Sequence, residues 1–108
     1  MSAAPFTSLA VGVVMLAMIL YPLKAERVVD GDTFVGLVEV RPGLYERVTV
    51  RIDCYSAPEK NEDGGAQATL HLVTFLDGGT LQLRTAWKRD KYGRLLGEPI
   101  RNDGGFCP

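Results

Sequence analysis

The chain is poor in the residues that build covalent or metal scaffolds. Its 108 residues include two cysteines and one histidine, too few for a disulfide-stapled fold or a four-ligand zinc site. Excess base is also missing. Twelve Lys and Arg against 13 Asp and Glu leave a net charge of −1, without the cationic surplus that marks most nucleic-acid binders. Charge of either sign is absent before Lys24. What is present suits one domain with a modest core. A content of 46% apolar and 23% charged residues excludes both a disordered tail and a polytopic membrane protein.

The uncharged end holds an unbroken apolar or glycine run from Leu9 to Leu20, hydrophobic on every side and so unlike an amphipathic surface helix. The run fits a signal-peptide core, and Phe6 to Leu23 is just long enough for a membrane span. No basic residues precede it, and the A-x-A-like cleavage candidate ends at Ala25, with Leu23 poorly suited to its −3 position. We therefore expect a hydrophobic N-terminal helix, a signal peptide or membrane anchor over residues 1–23, on a secreted, periplasmic or membrane-anchored protein. The soluble domain is expected over residues 24–108. An uncleaved segment whose end feeds the first strand is favoured, because cleavage after Ala25 leaves that strand only Glu26 to Val29.

Beyond Lys24, the pattern alternates. Arg27 to Val29 lead into a tight turn at Asp30-Gly31-Asp32-Thr33. A strand from Phe34 to Val40, a turn at Pro42-Gly43, and alternating Val48, Val50 and Ile52 predict a hairpin. Asn61 or Asp63 is placed to cap a helix with apolar positions at Ala66, Leu70 and Val73, and a second stripe at Leu72, Phe75 and Leu76. Gly78-Gly79 ends it. Thr80 to Thr85 form a short strand, and a last apolar run surrounds Leu95, Leu96 and Ile100. Three strands, a helix and two strands predict a five-stranded barrel of oligonucleotide-binding type, although Pro99 sits badly in its final strand.

Three segments concentrate chemistry: Asp30 to Thr33, Arg51 to Glu59, and Asp90 to Arg94. Two arginines and several carboxylates on turns suit a phosphodiester. An arginine fork can hold phosphate oxygens, a glutamate can orient or deprotonate water, and a hard divalent ion on oxygen ligands can bridge them.

These segments resemble the staphylococcal nuclease (thermonuclease-like) domain family, from about Arg27 to Gly97. Val28 to Thr33 resemble its first motif. Arg51 precedes Glu59 by the spacing between the family's first catalytic arginine and its glutamate, and Asp90-Lys91-Tyr92-Gly93-Arg94 resemble the segment of its second arginine. The resemblance implies a calcium-dependent nuclease acting on DNA or RNA. In it, Arg51 and Arg94 hold the phosphate, Glu59 acts on water, Asp32 binds Ca2+, and Lys91 and Tyr92 contact a nucleotide phosphate. Ala57 can add its backbone carbonyl to the metal. Ser56 stands where the family usually carries a second calcium-binding carboxylate, so it is a weak ligand and metal affinity should fall. The family's two C-terminal helices have no counterpart before Pro108, which predicts a poorly closed barrel.

Ser56 and the missing helices also define a competing reading, a degenerate, non-catalytic barrel that binds nucleic acid or a protein partner. A third is a truncated product with no stable fold. The nuclease reading calls for no protein partner, and for a membrane only if the N-terminal segment is retained. His71 falls away from all three motifs, on the helix surface. Trp87 suits barrel packing as well as base stacking. Cys54 and Cys107 can form a disulfide or remain two thiols. Near-neutrality does not exclude a nucleic-acid substrate, because basic residues gather locally at Arg84, Lys88, Arg89, Lys91, Arg94 and Arg101.

Overall fold

A computed structural model describes residues 18–108. Five strands form a barrel: β1 (Ile19–Asp30), β2 (Thr33–Arg41), β3 (Leu44–Ile52), β4 (Leu81–Thr85) and β5 (Leu95–Arg101), with one helix, α1 (Gly65–Leu76), between β3 and β4. A two-residue β6 (Gly104–Gly105) adds to the edge of β5. The sheet order is β3-β2-β1-β4-β5, and β3 pairs in parallel with β5 through Val50–Leu95, Arg51–Leu96 and Ile52–Gly97. That seam closes the ring, so the expected poor closure is corrected. Full closure removes the exposed strand edges that invite aggregation.

Alternation explains the core. Val48, Val50 and Ile52 turn inward with Phe34, Val38, Leu81, Leu83 and Leu95, while Thr49 and Arg51 face out. Pro99 is corrected from liability to core residue. It is fully buried, and its carbonyl accepts from the Phe106 N–H at 3.0 Å. The N and C=O of one residue point the same way, so its missing N–H faces the β6 edge and costs no bond to β4.

The expected N-terminal helix lies mostly outside the described residues. Its final residues are strand: Ile19 to Leu23 pair with Thr85 to Leu81 of β4. They follow the pairing of a neighbouring strand rather than the hydropathy of the run to which they belong. No helix among the described residues is long and apolar enough to cross a membrane.

Helix α1 differs in detail from its pattern. Gly64 caps it in the left-handed conformation at φ 83°, with no side-chain cap from Asn61 or Asp63. The buried stripe is Ala68, Leu72 and Leu76, whereas Leu70 is 64% exposed and Ala66 and Val73 face solvent. Phe75 packs at the edge of the core. The helix must bring Ala68 against Gly31, where an added Cβ would lie 2.6 Å from Ala68 Cβ and from Ala57 Cβ. That close approach, which hydropathy does not register, sets the rotation of the helix.

Beyond β5 the described chain forms β6 and then packs back instead of forming a helix. Cys107 is disulfide-bonded to Cys54, with Cα atoms 6.0 Å apart. Phe106 packs against Tyr55, His71 and Phe75.

Candidate active site

The Asp30–Thr33 turn, the end of β3 and the loop after it meet at one end of the barrel. Thr33 pairs with Arg51 in the β2–β3 ladder, and the Ile52 N–H donates to the Asp32 carbonyl at 2.8 Å. The Asp32 carboxylate is buried. It accepts from the Ala57 N–H at 2.8 Å and from the Thr33 hydroxyl at 3.0 Å, and faces an Arg51 terminal nitrogen at 3.5 Å. Burial works against its charge, but the bonds from Ala57, Asp30 and Thr33 and the Arg51 cation outweigh it and hold Asp32 below the ordinary aspartate value. Asp30 moves the other way: burial first, then the adjacent Asp32, push it up. The two carboxyls thus lie against each other with their titrations driven apart.

Arg51 is committed largely to the protein. One terminal nitrogen donates to the carbonyls of Ile52 and Tyr55, the latter at 2.8 Å, and the other donates to Ser56 Oγ at 3.0 Å. Arg51 thereby ties the loop after β3 to the turn before β2. Arg94 is placed differently. Leu95 and its partner Val50 both face the core, so alternation turns Arg94 and Arg51 outward on the two sides of the β3–β5 seam. Asp90 holds the Arg94 Nε at 2.7 Å and its N–H at 2.9 Å. Neither terminal nitrogen of Arg94 has a hydrogen-bond acceptor among the described residues, so a two-pronged donor remains for an anion. Asp90 itself stays below its usual value: desolvation opposes this, and bonds from Arg94 and from the Tyr92 N–H prevail.

Glu59 sits two residues past Ala57, exposed, its carboxylate without a hydrogen-bond donor among the described residues. Its backbone is fixed. The Glu59 N–H donates to the Glu62 carboxylate at 2.7 Å, and the Glu59 carbonyl lies against Gly65, where an added Cβ would come far inside contact distance. Tyr92 is 72% exposed, with the Lys91 ammonium and the Arg94 guanidinium each 5.3 Å from its ring centre.

Asp32, Arg51, Ser56 and Ala57 are therefore joined directly, Arg94 precedes the strand across the seam from Arg51, and Glu59, Lys91 and Tyr92 lie on exposed loops. No family model matches the chain. Relatives are nevertheless found. The chain is 37% identical over 81 residues to proteins described as uncharacterized endonucleases, from Escherichia coli O157:H7 and from Escherichia coli. The match covers 75% of this chain and 49% of each relative, so the chain spans about half the length of the curated relatives it matches.

The remaining candidates fall elsewhere. His71 is exposed on α1 with its ring 5.1 Å from that of Phe106. Trp87 packs edge-on against Tyr21 at 5.6 Å, in the left-handed region at φ 58°. Its N–H donates to the buried Thr85 hydroxyl, which in turn donates to the Leu96 carbonyl.

Asp30, Thr33 and Asp90 support the site without having been singled out for it. Each lies inside a quoted motif as a short polar side chain next to a functional one, the only signal available in the sequence. As for a hard cation, no group of three or more His, Cys, Asp or Glu side chains gathers among the described residues. The turn offers two carboxyls, Asp30 and Asp32, and the oxygens of Asp32 already accept from the Thr33 hydroxyl and the Ala57 N–H. Ser56 Oγ is taken up by Arg51, and Ala57 is engaged through its N–H.

Proposed function

We propose that this protein is a calcium-dependent nuclease of the thermonuclease-like kind, hydrolysing phosphodiester bonds in exposed single-stranded or frayed DNA or RNA. The observation that carries the reading is the pair of outward-facing arginines across the β3–β5 seam, beside a buried, charged Asp32 and a free Glu59. Its similarity to the endonuclease relatives supports the same chemistry.

The residues divide the work by their surroundings. Arg94 presents two free terminal nitrogens to phosphate oxygens and offsets the charge that builds in the transition state. Arg51 adds the Nε–H left over from its contacts and holds the loop in register. Glu59 accepts a proton from, or orients, the attacking water; its exposure leaves it accessible. Lys91 and Tyr92 contact the neighbouring nucleotide, Tyr92 by stacking and Lys91 by charge. Asp32, with Asp30 beside it, would hold the calcium, and Ser56 and the Ala57 carbonyl are weaker contributors. When bound, the ion would polarise the phosphate and lower the pKa of a water.

The engagement of the Ser56 hydroxyl by Arg51 favours a second reading, in which the barrel binds nucleic acid without cutting it. We further propose an exported or membrane-anchored protein, a location supported by the Cys54–Cys107 disulfide, since such bonds persist in oxidising compartments. Digestion of plasmid and heat-denatured DNA, with calcium and with chelator, tests the main reading on the wild type, Glu59→Gln and Arg94→Ala. Calcium-stimulated cleavage lost in both variants is expected. Cleavage that ignores chelator and both substitutions rules it out, and binding without cleavage establishes the second reading.

A further inference from the structure

The loop from Asp53 to Ser56 is held from two sides. On the barrel side Arg51 fastens it, through the Tyr55 carbonyl at 2.8 Å and Ser56 Oγ at 3.0 Å. On the far side it meets the C-terminal segment. Cys54 is bonded to Cys107, and the Tyr55 ring stands edge-on to Phe106 at 5.7 Å. That segment is itself anchored. The Phe106 N–H donates to the Pro99 carbonyl at 3.0 Å, and the Cys107 N–H donates to the Glu98 carboxylate at 2.8 Å. Phe106 also packs against Phe75 at 5.2 Å and His71 at 5.1 Å on α1. The disulfide and its aromatic cluster therefore join β5 and α1 to the loop that carries Ser56 and Ala57. Cys54 lies inside the Arg51–Glu59 segment, and Cys107 lies outside all three.

We propose that the Phe106–Cys107 segment positions the candidate active site, and that its disulfide makes the positioning reversible by redox chemistry. With the bond formed, Cys54 and Tyr55 hold the loop where Arg51 can bridge it to Asp32. With the bond reduced, the loop keeps its contacts to Arg51, the Ala57 N–H bond to Asp32 and the Tyr55–Phe106 packing, and the Arg51–Ser56–Asp32 arrangement loosens. Cys54 is exposed, so a dithiol can reach it. Two electrons and two protons pass from the dithiol to the protein disulfide, giving Cys54 and Cys107 thiols, while the dithiol closes to its own cyclic disulfide. No other covalent bond changes. The backbone bonds at Phe106 and Cys107 and the β3–β5 seam do not involve sulfur, so the barrel survives reduction. The inference rests on the nuclease reading for its effect on rate, and stands apart from it for its effect on the loop.

The test compares the full chain oxidised, reduced with a dithiol, and reoxidised with glutathione disulfide. Cleavage of a single-stranded oligonucleotide is measured in calcium. Reduction should lower kcat about ten- to a hundredfold with KM little changed, as expected for a small misplacement at a reacting centre, and reoxidation should restore it. The Cys54→Ser/Cys107→Ser variant should match the reduced rate and ignore reductant. Phe106→Leu should keep more activity than Phe106→Ala. A melting curve verifies that each form is folded at the assay temperature. Amide hydrogen exchange over residues 53–57 gives a readout independent of catalysis: slow when oxidised, fast when reduced. A folded, reduced protein that cleaves at the oxidised rate overturns the proposal, as does unchanged exchange in that loop. Absence of cleavage in every form defeats the nuclease reading alone, and hydrogen exchange then decides the positioning.

Discussion

Arg51 and Arg94 are the same residue type at the same barrel seam, yet their surroundings differ. Arg51 reaches carbonyls, a hydroxyl and a carboxylate of its own protein, whereas Arg94 is gripped at Nε and its terminal nitrogens meet no acceptor among the described residues. Arg94→Ala should therefore cost about 10²–10³ in kcat and leave the urea midpoint nearly unchanged. Arg51→Ala should lose activity and also roughly 1.5–3 kcal/mol of stability, because charge-assisted bonds to partly buried acceptors disappear; equilibrium urea unfolding of the two variants measures the contrast. Ser56→Asp should raise cleavage and lower the calcium needed for half-maximal rate, and an unchanged calcium titration would place the ion elsewhere. The carboxyl pair gives a pH signature. Asp32, lowered on folding, contributes stability that is present above the ordinary aspartate value of 3.8 and is lost as pH falls through its lowered value. Asp30, raised on folding, contributes the opposite slope, with stability declining as pH rises from the ordinary value through the raised one. Asp30→Asn should therefore raise the melting temperature at pH 7 and lose that gain in acid, while Asp32→Asn should lower it at pH 7. These surroundings were only partly legible in the sequence. Residue type and spacing identified both arginines, but nothing local showed that Asp90 would grip one and that loop carbonyls would occupy the other.

At the scale of elements, small residues set the geometry. Gly31 fits between Ala57 and Ala68, and Gly65 lies under the Glu59 carbonyl. These contacts fix the distance from the first turn to the loop and to the start of α1. Gly65→Ala forces that carbonyl aside and should cost about 1–3 kcal/mol, with a loss of cleavage larger than the loss of folded protein at the assay temperature. Thermal melts and initial rates on one preparation separate the two effects. The strands were well marked because inward residues alternate cleanly in β3 and β4. Helix α1 was found by its apolar content, and its stripe through Leu72, Phe75 and Leu76 does face the core. Ala66, Leu70 and Val73 are exposed, although Leu70 and Val73 are as hydrophobic as the residues it buries. The decisive information was a glycine 37 positions upstream of Ala68, and periodicity within a segment cannot register a partner outside it. The end of the apolar segment was expected to feed the first strand, but how far that strand reaches back, to Ile19, was not legible for a similar reason: the partner of Ile19 to Leu23 is β4, far along the chain.

For the molecule as a whole, the disulfide spans 53 residues of sequence. A loop of that size corresponds to about 4 kcal/mol of stabilisation by the chain-entropy estimate. The Cys54→Ser/Cys107→Ser variant should unfold at correspondingly lower urea concentration, and a wild-type sample titrated with dithiol should move to the same midpoint. The barrel is otherwise built from neighbours in sequence, β1 with β2 and β2 with β3, until β4 returns to β1 and β5 closes on β3. The closing seam has three residue pairs, with Arg51 in one strand and Arg94 just ahead of the other. Pairings between distant parts of a chain pay their loop-closure entropy before any contact rewards it, and they form slowly. The seam that joins the strand of Arg51 to the strand following Arg94 is therefore expected to close slowly. A chain still being synthesised carries every motif of the candidate site and has no means of assembling it.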